Sequence, residues 1–134
     1  MSVQTLNVMT ALRWRSLVLL GILCLAVTDL NGQSSDAQTQ TGIGAYYSDY
    51  FQGRPTASGE IFDQDALTAA HNGHPFGTRV RVTNLANGKS VVVTINDRLR
   101  SNSGILIDLT HRAAEELDSI HEGITQVEVT VVDN

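Results

Sequence analysis

Between positions 78 and 97 the chain reads TRVRVTNLANGKSVVVTIND. Val80, Val82 and Leu85 alternate with polar residues, the period of a strand with one face buried. Asn87-Gly88 is the pair favoured in a tight hairpin turn, because both residues tolerate positive φ. The run 91–95 is almost wholly β-branched, which predicts a strand covered on both faces. Further strands are predicted over 43–48, 104–109 and 127–132. One helix is predicted, with Thr110 as N-cap and HRAAEELD behind it, and 65–70 reads as a shorter helical turn. Short strands with one or two short helices and long connections imply a mainly β protein, a small barrel.

The N-terminal part has a different pattern. Arg13 and Arg15 precede an uncharged apolar run over 17–27, too short to span a bilayer as a helix but suited to the core of an export signal. Gly32 and Ala37 are small enough to mark cleavage, so residues 1–37 are expected to be signal peptide and polar tether, cut near 32–37. The stretch 31–41, NGQSSDAQTQT, is polar throughout. The folded domain is expected over 42–134. Cys24 is the only cysteine. Leu23 stands before it, where a lipidated cysteine wants a small residue, so Cys24 reads as part of the discarded segment. A fold free of disulfides follows. Export implies a periplasm, a cell envelope or the medium.

Charge narrows the partners. The formal net charge is −5, the wrong sign for a protein that neutralises phosphates, so no nucleic-acid partner is expected. A neutral glycan is compatible with it.

The chemistry-bearing residues concentrate in TASGEIFDQDALTAAH, positions 56–71, and around Asp97. Asp97 ends the Val-rich strand, where a scaffold can present a catalytic carboxyl. The plainer reading is a strand-end carboxylate that accepts backbone N–H bonds from the following loop. Arg98 does not pair with it automatically, because successive strand residues point to opposite faces. Glu60, after Gly59, reads as a solvated residue unless a partner is found. His71 is read as a hydrogen-bonding partner of a carboxylate or as a residue closing the loop. His71 and His74 form H-x-x-H near Asp63 and Asp65, but no third ligand has metal-site spacing, so neither metal nor cofactor is expected. Asp108, just before the helix, reads as a cap or loop anchor. Ser58 lacks any nucleophile motif. Tyr46, Tyr47, Tyr50 and Phe51 gather aromatic faces that suit either sugar stacking or a core.

Taken together, GIGAYYSDYFQGRPTASGE, LTAAH, PFGTRVRVTNLANGKS, NDR and IDLT, in this order and spacing, resemble the RlpA (rare lipoprotein A) family. The resemblance implies a six-stranded double-psi β-barrel and lytic transglycosylation of bacterial peptidoglycan, with preference for glycan strands lacking stem peptides. It assigns catalytic roles to Glu60, His71 and Asp97. Asp97 would protonate the oxygen linking N-acetylmuramic acid to N-acetylglucosamine, then take the proton of the muramoyl C6 hydroxyl. Substrate contacts are expected from Thr56, Ser58, Tyr47 and Asp108. Residues 56–71 would form one wall of a sugar groove and Asp97 the other. Two stretches depart from the family pattern: Leu99-Arg100 and SNSG follow Asn-Asp-Arg, and Tyr46-Tyr47-Ser48 replaces Trp-Tyr-Gly. A monomer is expected, acting on glycan strands with possible envelope or division proteins as partners. Two other readings share the barrel: an expansin-like module that binds polysaccharide without cutting it, and an inverting hydrolase with two working carboxyls.

Overall fold

The alternating stretch 78–97 forms two antiparallel strands in the computed structural model, which describes residues 39–132. The strands are β1 (Thr39–Tyr46), β2 (Thr68–Ala70), β3 (Arg79–Asn84), β4 (Ser90–Asp97), β5 (Ile107–Leu109) and β6 (Thr125–Val131). A 3₁₀ turn (Asp49–Phe51) follows β1, and one short helix, α1 (His111–Glu116), follows β5. Thr110 caps α1 as expected, its hydroxyl accepting from the Ala113 N–H and donating to the Ala66 carbonyl.

The six strands close in the order β1-β5-β2-β4-β3-β6, with β6 returning to β1. β1 with β5 and β2 with β4 run parallel; the other neighbours run antiparallel. The interior is filled by Val80, Val82, Val91, Val93, Ile95, Ile107, Leu109, Val127 and Val129, joined by Ala113 and Leu117 from the α1 segment. β-Branched side chains suit such a pleated wall, and burying each contributes roughly 1.5–3 kcal/mol. A second cluster of Tyr47, Phe62 and Ala70, with Leu99 against it, is separate from this core and underlies the site.

Four expectations are corrected. The β3–β4 turn is a five-residue connection, 85–89, because β3 ends at Asn84 and β4 starts at Ser90. Gly88 alone has positive φ there (76°); Asn87 does not, and its side chain instead bridges the Lys89 N–H and the Leu117 carbonyl. Residues 68–70 are strand, not helical turn: small Ala69 and Ala70 sit between β4 and β5, and that pairing overrides the helical preference of alanine. Strand β4 alternates rather than being covered on both faces, since Val92 and Thr94 are only half-buried. Strand β1 already begins at Thr39, inside the stretch read as tether. The predicted signal and most of the tether lie outside the described residues.

Candidate active site

A break in strand periodicity places the site. Thr68 pairs with Thr94 and Ala69 with Ile95, but Ala70 pairs with Asp97, leaving Asn96 as an extra residue on β4. Ile95 and Asn96 are consequently both buried. Such a bulge re-aims the next side chain, and here it sets Asp97 beside Ala70. On the other side of β2, Ala70 pairs with Asp108 of β5. Two carboxyls thus flank one alanine across three neighbouring strands.

Ala70, Asp97 and Asp108 all line an open groove of about 640 Å³. Tyr47, Phe51 and Pro55 line it too, together with Arg98, Leu99, Arg100, Ser103 and Ile105 from the β4–β5 loop. The stretch that follows Asp97 is therefore a wall of the groove, with Arg98 and Arg100 among its lining residues.

Asp97 accepts at both oxygens. The Tyr47 hydroxyl donates to Oδ2 at 2.6 Å, while the N–H groups of Ala57 and Arg98 donate to Oδ1 at 2.9 and 2.8 Å. The Arg98 guanidinium does not join them: it donates to the His71 and Asp97 carbonyls and lies over the Phe76 ring at 3.9 Å. Burial raises the Tyr47 phenol well above its usual pKa, reinforced by its bond to Asp97 and the charges of Asp97 and Asp108. Tyr47 is therefore a fixed donor at neutral pH. Its ring packs on Phe62 with centroids 4.4 Å apart, and Gln64 accepts from the His111 N–H while donating to the Tyr47 carbonyl.

The Ala57 N–H is presented by a tight loop. Pro55 bridges Ile61, the Thr56 N–H reaches the Glu60 carbonyl at 2.7 Å, and the Ser58 N–H docks on the Asn96 carbonyl at 3.2 Å. Gly59, at φ 91°, makes the reversal that a side chain would strain. The Thr56 and Ser58 hydroxyls bond each other at 2.9 Å, and neither residue lines the groove.

Asp108 is different. Its Oδ1 is buried with no hydrogen-bond partner among the described residues. Burial, with the nearby charge of Asp97, pushes its pKa up to about 6. It caps nothing, since Thr110 performs that task.

Glu60 and His71 lie outside the groove lining. Glu60 is exposed and accepts from Asn96 Nδ2 at 3.1 Å. His71 is only 2% exposed. Its Nε2 meets Gln40 Oε1 at 2.9 Å, its Nδ1 accepts from the Gly73 N–H, and its ring stacks on His74. No carboxylate bonds to the His71 ring among the described residues, contrary to expectation. Burial first, then His74 and Arg98, lowers its pKa to about 4, so the ring is neutral above that. Among the described residues no cluster of three or more His, Cys, Asp or Glu is arranged to hold a metal.

Residues 39–129 match the family described as lytic transglycolase. The chain belongs to that family. Relatives of this lytic transglycolase domain include proteins named "Probable endolytic peptidoglycan transglycosylase RlpA" from Treponema pallidum, 50% identical over 69% of the chain, and from Nostoc sp., 53% identical over 68%. The expected RlpA resemblance is thereby borne out, as is the double-psi barrel. The chain spans only 29% and 25% of those relatives' lengths. Among solved structures, the domain resembles Streptomyces papain inhibitor (TM-score 0.58, 24% identity, 72% of this chain and 96% of that one). It also resembles a Clavibacter michiganensis expansin (TM-score 0.57, 23% identity, 72% and 51%). At such identity the likeness is one of fold alone.

What sequence reasoning missed is the bulge at Asn96 and the isolation of Asp108 from donors; its place at the groove agrees with the expected substrate contact. The one available signal for the first was Asn96 itself, a polar residue on the side of β4 that faces away from the core.

Proposed function

We propose that the protein is an endolytic peptidoglycan lytic transglycosylase. It cleaves the β-1,4 bond between N-acetylmuramic acid and N-acetylglucosamine, leaves 1,6-anhydro ends, and acts best on strands lacking stem peptides. The observation that carries this reading is a carboxyl, Asp97, held by three donors on the floor of an open groove. The names of its relatives support the substrate class.

The muramoyl C6 hydroxyl attacks C1 while the C1–O4 bond breaks. One proton must reach the departing oxygen and one must leave the C6 hydroxyl, so no water is consumed. Asp97 is a carboxyl through which both transfers can run, giving its proton to the departing oxygen and collecting the one from C6. Tyr47 and the Ala57 N–H hold it in place, and a base fixed in this way needs little rearrangement as the reaction proceeds. Glu60 and His71 act at a distance: Glu60 through Asn96, and His71 by closing the β2 end against Gln40. Residues 1–37 serve export to the periplasm or cell envelope, where a monomer meets glycan strands.

Mass spectrometry of soluble products from intact and amidase-stripped peptidoglycan tests this, with Asp97→Asn beside the wild type. Anhydro-ended fragments that vanish with the variant are expected. Reducing-end fragments, each one water heavier, would make the protein a hydrolase. Sedimentation with the glycan and no fragments at all would make it a binding module.

A further inference from the structure

The described site has two carboxyls, and the mechanism so far uses one. Asp108 lines the same groove as Asp97, from the strand on the far side of Ala70. Ala70, with a single methyl as its side chain, is the residue paired between them and lines the groove too. Their surroundings are opposite. Asp97 receives three hydrogen bonds. Asp108 receives none among the described residues, and its Oδ1 is sealed from solvent. A buried carboxylate oxygen without a donor is costly, whereas a neutral carboxyl avoids most of that cost. The residue nevertheless lines the groove.

We propose that Asp108 is the general acid of this site, so that the proton work is divided between two carboxyls. This rests on the transglycosylase reading given above. The Asp108 carboxyl gives its proton to O4 as the C1–O4 bond breaks. The C6 oxygen bonds to C1, and its proton passes to Asp97. Each turnover leaves Asp108 charged and Asp97 protonated, and return of that proton from Asp97 to Asp108 restores the starting state. No oxidant, metal or water enters the balance. Pairs of titratable groups whose environments push them apart are a common basis for such a division.

The charged and titratable groups that share the groove with Asp108 are Asp97 from β4, the Tyr47 phenol after β1, and Arg98 and Arg100 from the β4–β5 loop. β2 contributes only Ala70. Of these charges, Asp97 is the one that acts on Asp108, and it raises it. Burial is the larger cause, so the effect survives in part without Asp97.

The test combines activity, binding and titration on the purified protein. Wild-type release of anhydro-ended fragments is expected to fall as pH rises through about 6, since the acid must hold its proton. Asp108→Asn, an isosteric change, is expected to lower the turnover rate by about 10²-fold or more, the scale of general acid catalysis. Sedimentation with glycan stays within about threefold of wild type, a change under 1 kcal/mol, and the falling limb disappears. Independently of any variant's activity, carbon-13 carboxyl spectra of the wild type show a resonance titrating near 6. It is absent from Asp108→Asn and shifted downwards in Asp97→Asn. If Asp108→Asn keeps wild-type turnover and the same pH profile, or if its carboxyl titrates in the ordinary range, the inference is overturned while the transglycosylase reading stands. If the wild type yields no anhydro-ended fragment from either substrate, that reading falls and takes this one with it.

Discussion

Asp97 and Asp108 are register partners of the same residue, Ala70, one from β4 and one from β5. One gathers donors and the other has none. The barrel thus holds two chemically identical groups in unlike electrostatic surroundings, a single strand apart.

Tyr47→Phe tests the donor side. It removes the 2.6 Å bond to Asp97 and leaves the packing on Phe62 in place. A hydrogen bond to a charged group contributes about 1.5–3 kcal/mol. The rate of anhydro-ended product formation is expected to fall by about ten- to a hundredfold, the same energy at 1.36 kcal/mol per decade, with the melting temperature little changed. A variant as fast as wild type would show that Asp97 does not depend on this contact.

The pH dependence of stability follows from two groups of opposite sign. Asp108 binds its proton more tightly in the folded state, with its pKa raised from 3.8 to about 6. It therefore stabilises fully below pH 3.8 and loses that contribution as pH rises to about 6. His71 is lowered from 6.5 to about 4. Its contribution is complete above pH 6.5 and is lost as pH falls towards 4. Each is on the order of 3 kcal/mol, so over this window they oppose and nearly cancel. Asp108→Asn removes one side. Urea unfolding of that variant is expected to show stability climbing by about 2–3 kcal/mol between pH 4 and 6.5, against a nearly flat wild type. A flat variant would contradict the assignment.

Gly73→Ala probes the buried imidazole. A Cβ there would lie 2.9 Å from His71 Cε1, with Gln40 Nε2 close behind at 3.8 Å. The ring is pinned by its bonds to Gln40 and Gly73 and by the His74 stack, so it has little room to yield. A loss of about 1–3 kcal/mol, the usual cost of overpacking, is expected in denaturant midpoints. A neutral result would mean that the His71 cluster is loosely held.

Thr110→Val keeps the shape of a fully buried residue and deletes its hydroxyl. The Ala113 N–H loses its cap and the Ala66 carbonyl loses its donor. The expected destabilisation is about 1–3 kcal/mol, read by thermal or urea unfolding.

The sequence was informative where one local rule acts. Alternation placed β3, a β-branched run placed β4, and Thr110 as N-cap before HRAAEELD placed α1. It was silent where distant segments decide. Ala69 and Ala70 favour helix locally, and only β4 and β5 on either side make them strand. The sequestration of His71 depends on Gln40, on another strand. Asp97 is legible as a strand end, but the extra residue that turns it to the groove appears only once β2 is laid beside β4. Asp108 looks like a cap in IDLT, and its isolation from donors is a property of the folded surroundings alone.

The segment between the two carboxyls runs from the end of β4 to the start of β5 and supplies Leu99, Arg100, Ser103 and Ile105 to the groove. Both of its ends are bolted to β2 through Ala70. The positions of Asp97 and Asp108 are therefore set by strand pairing and not by the composition of the stretch between them. The barrel works as a fixed chassis carrying an insert: the frame holds the two carboxyls, and the insert shapes the groove beside them.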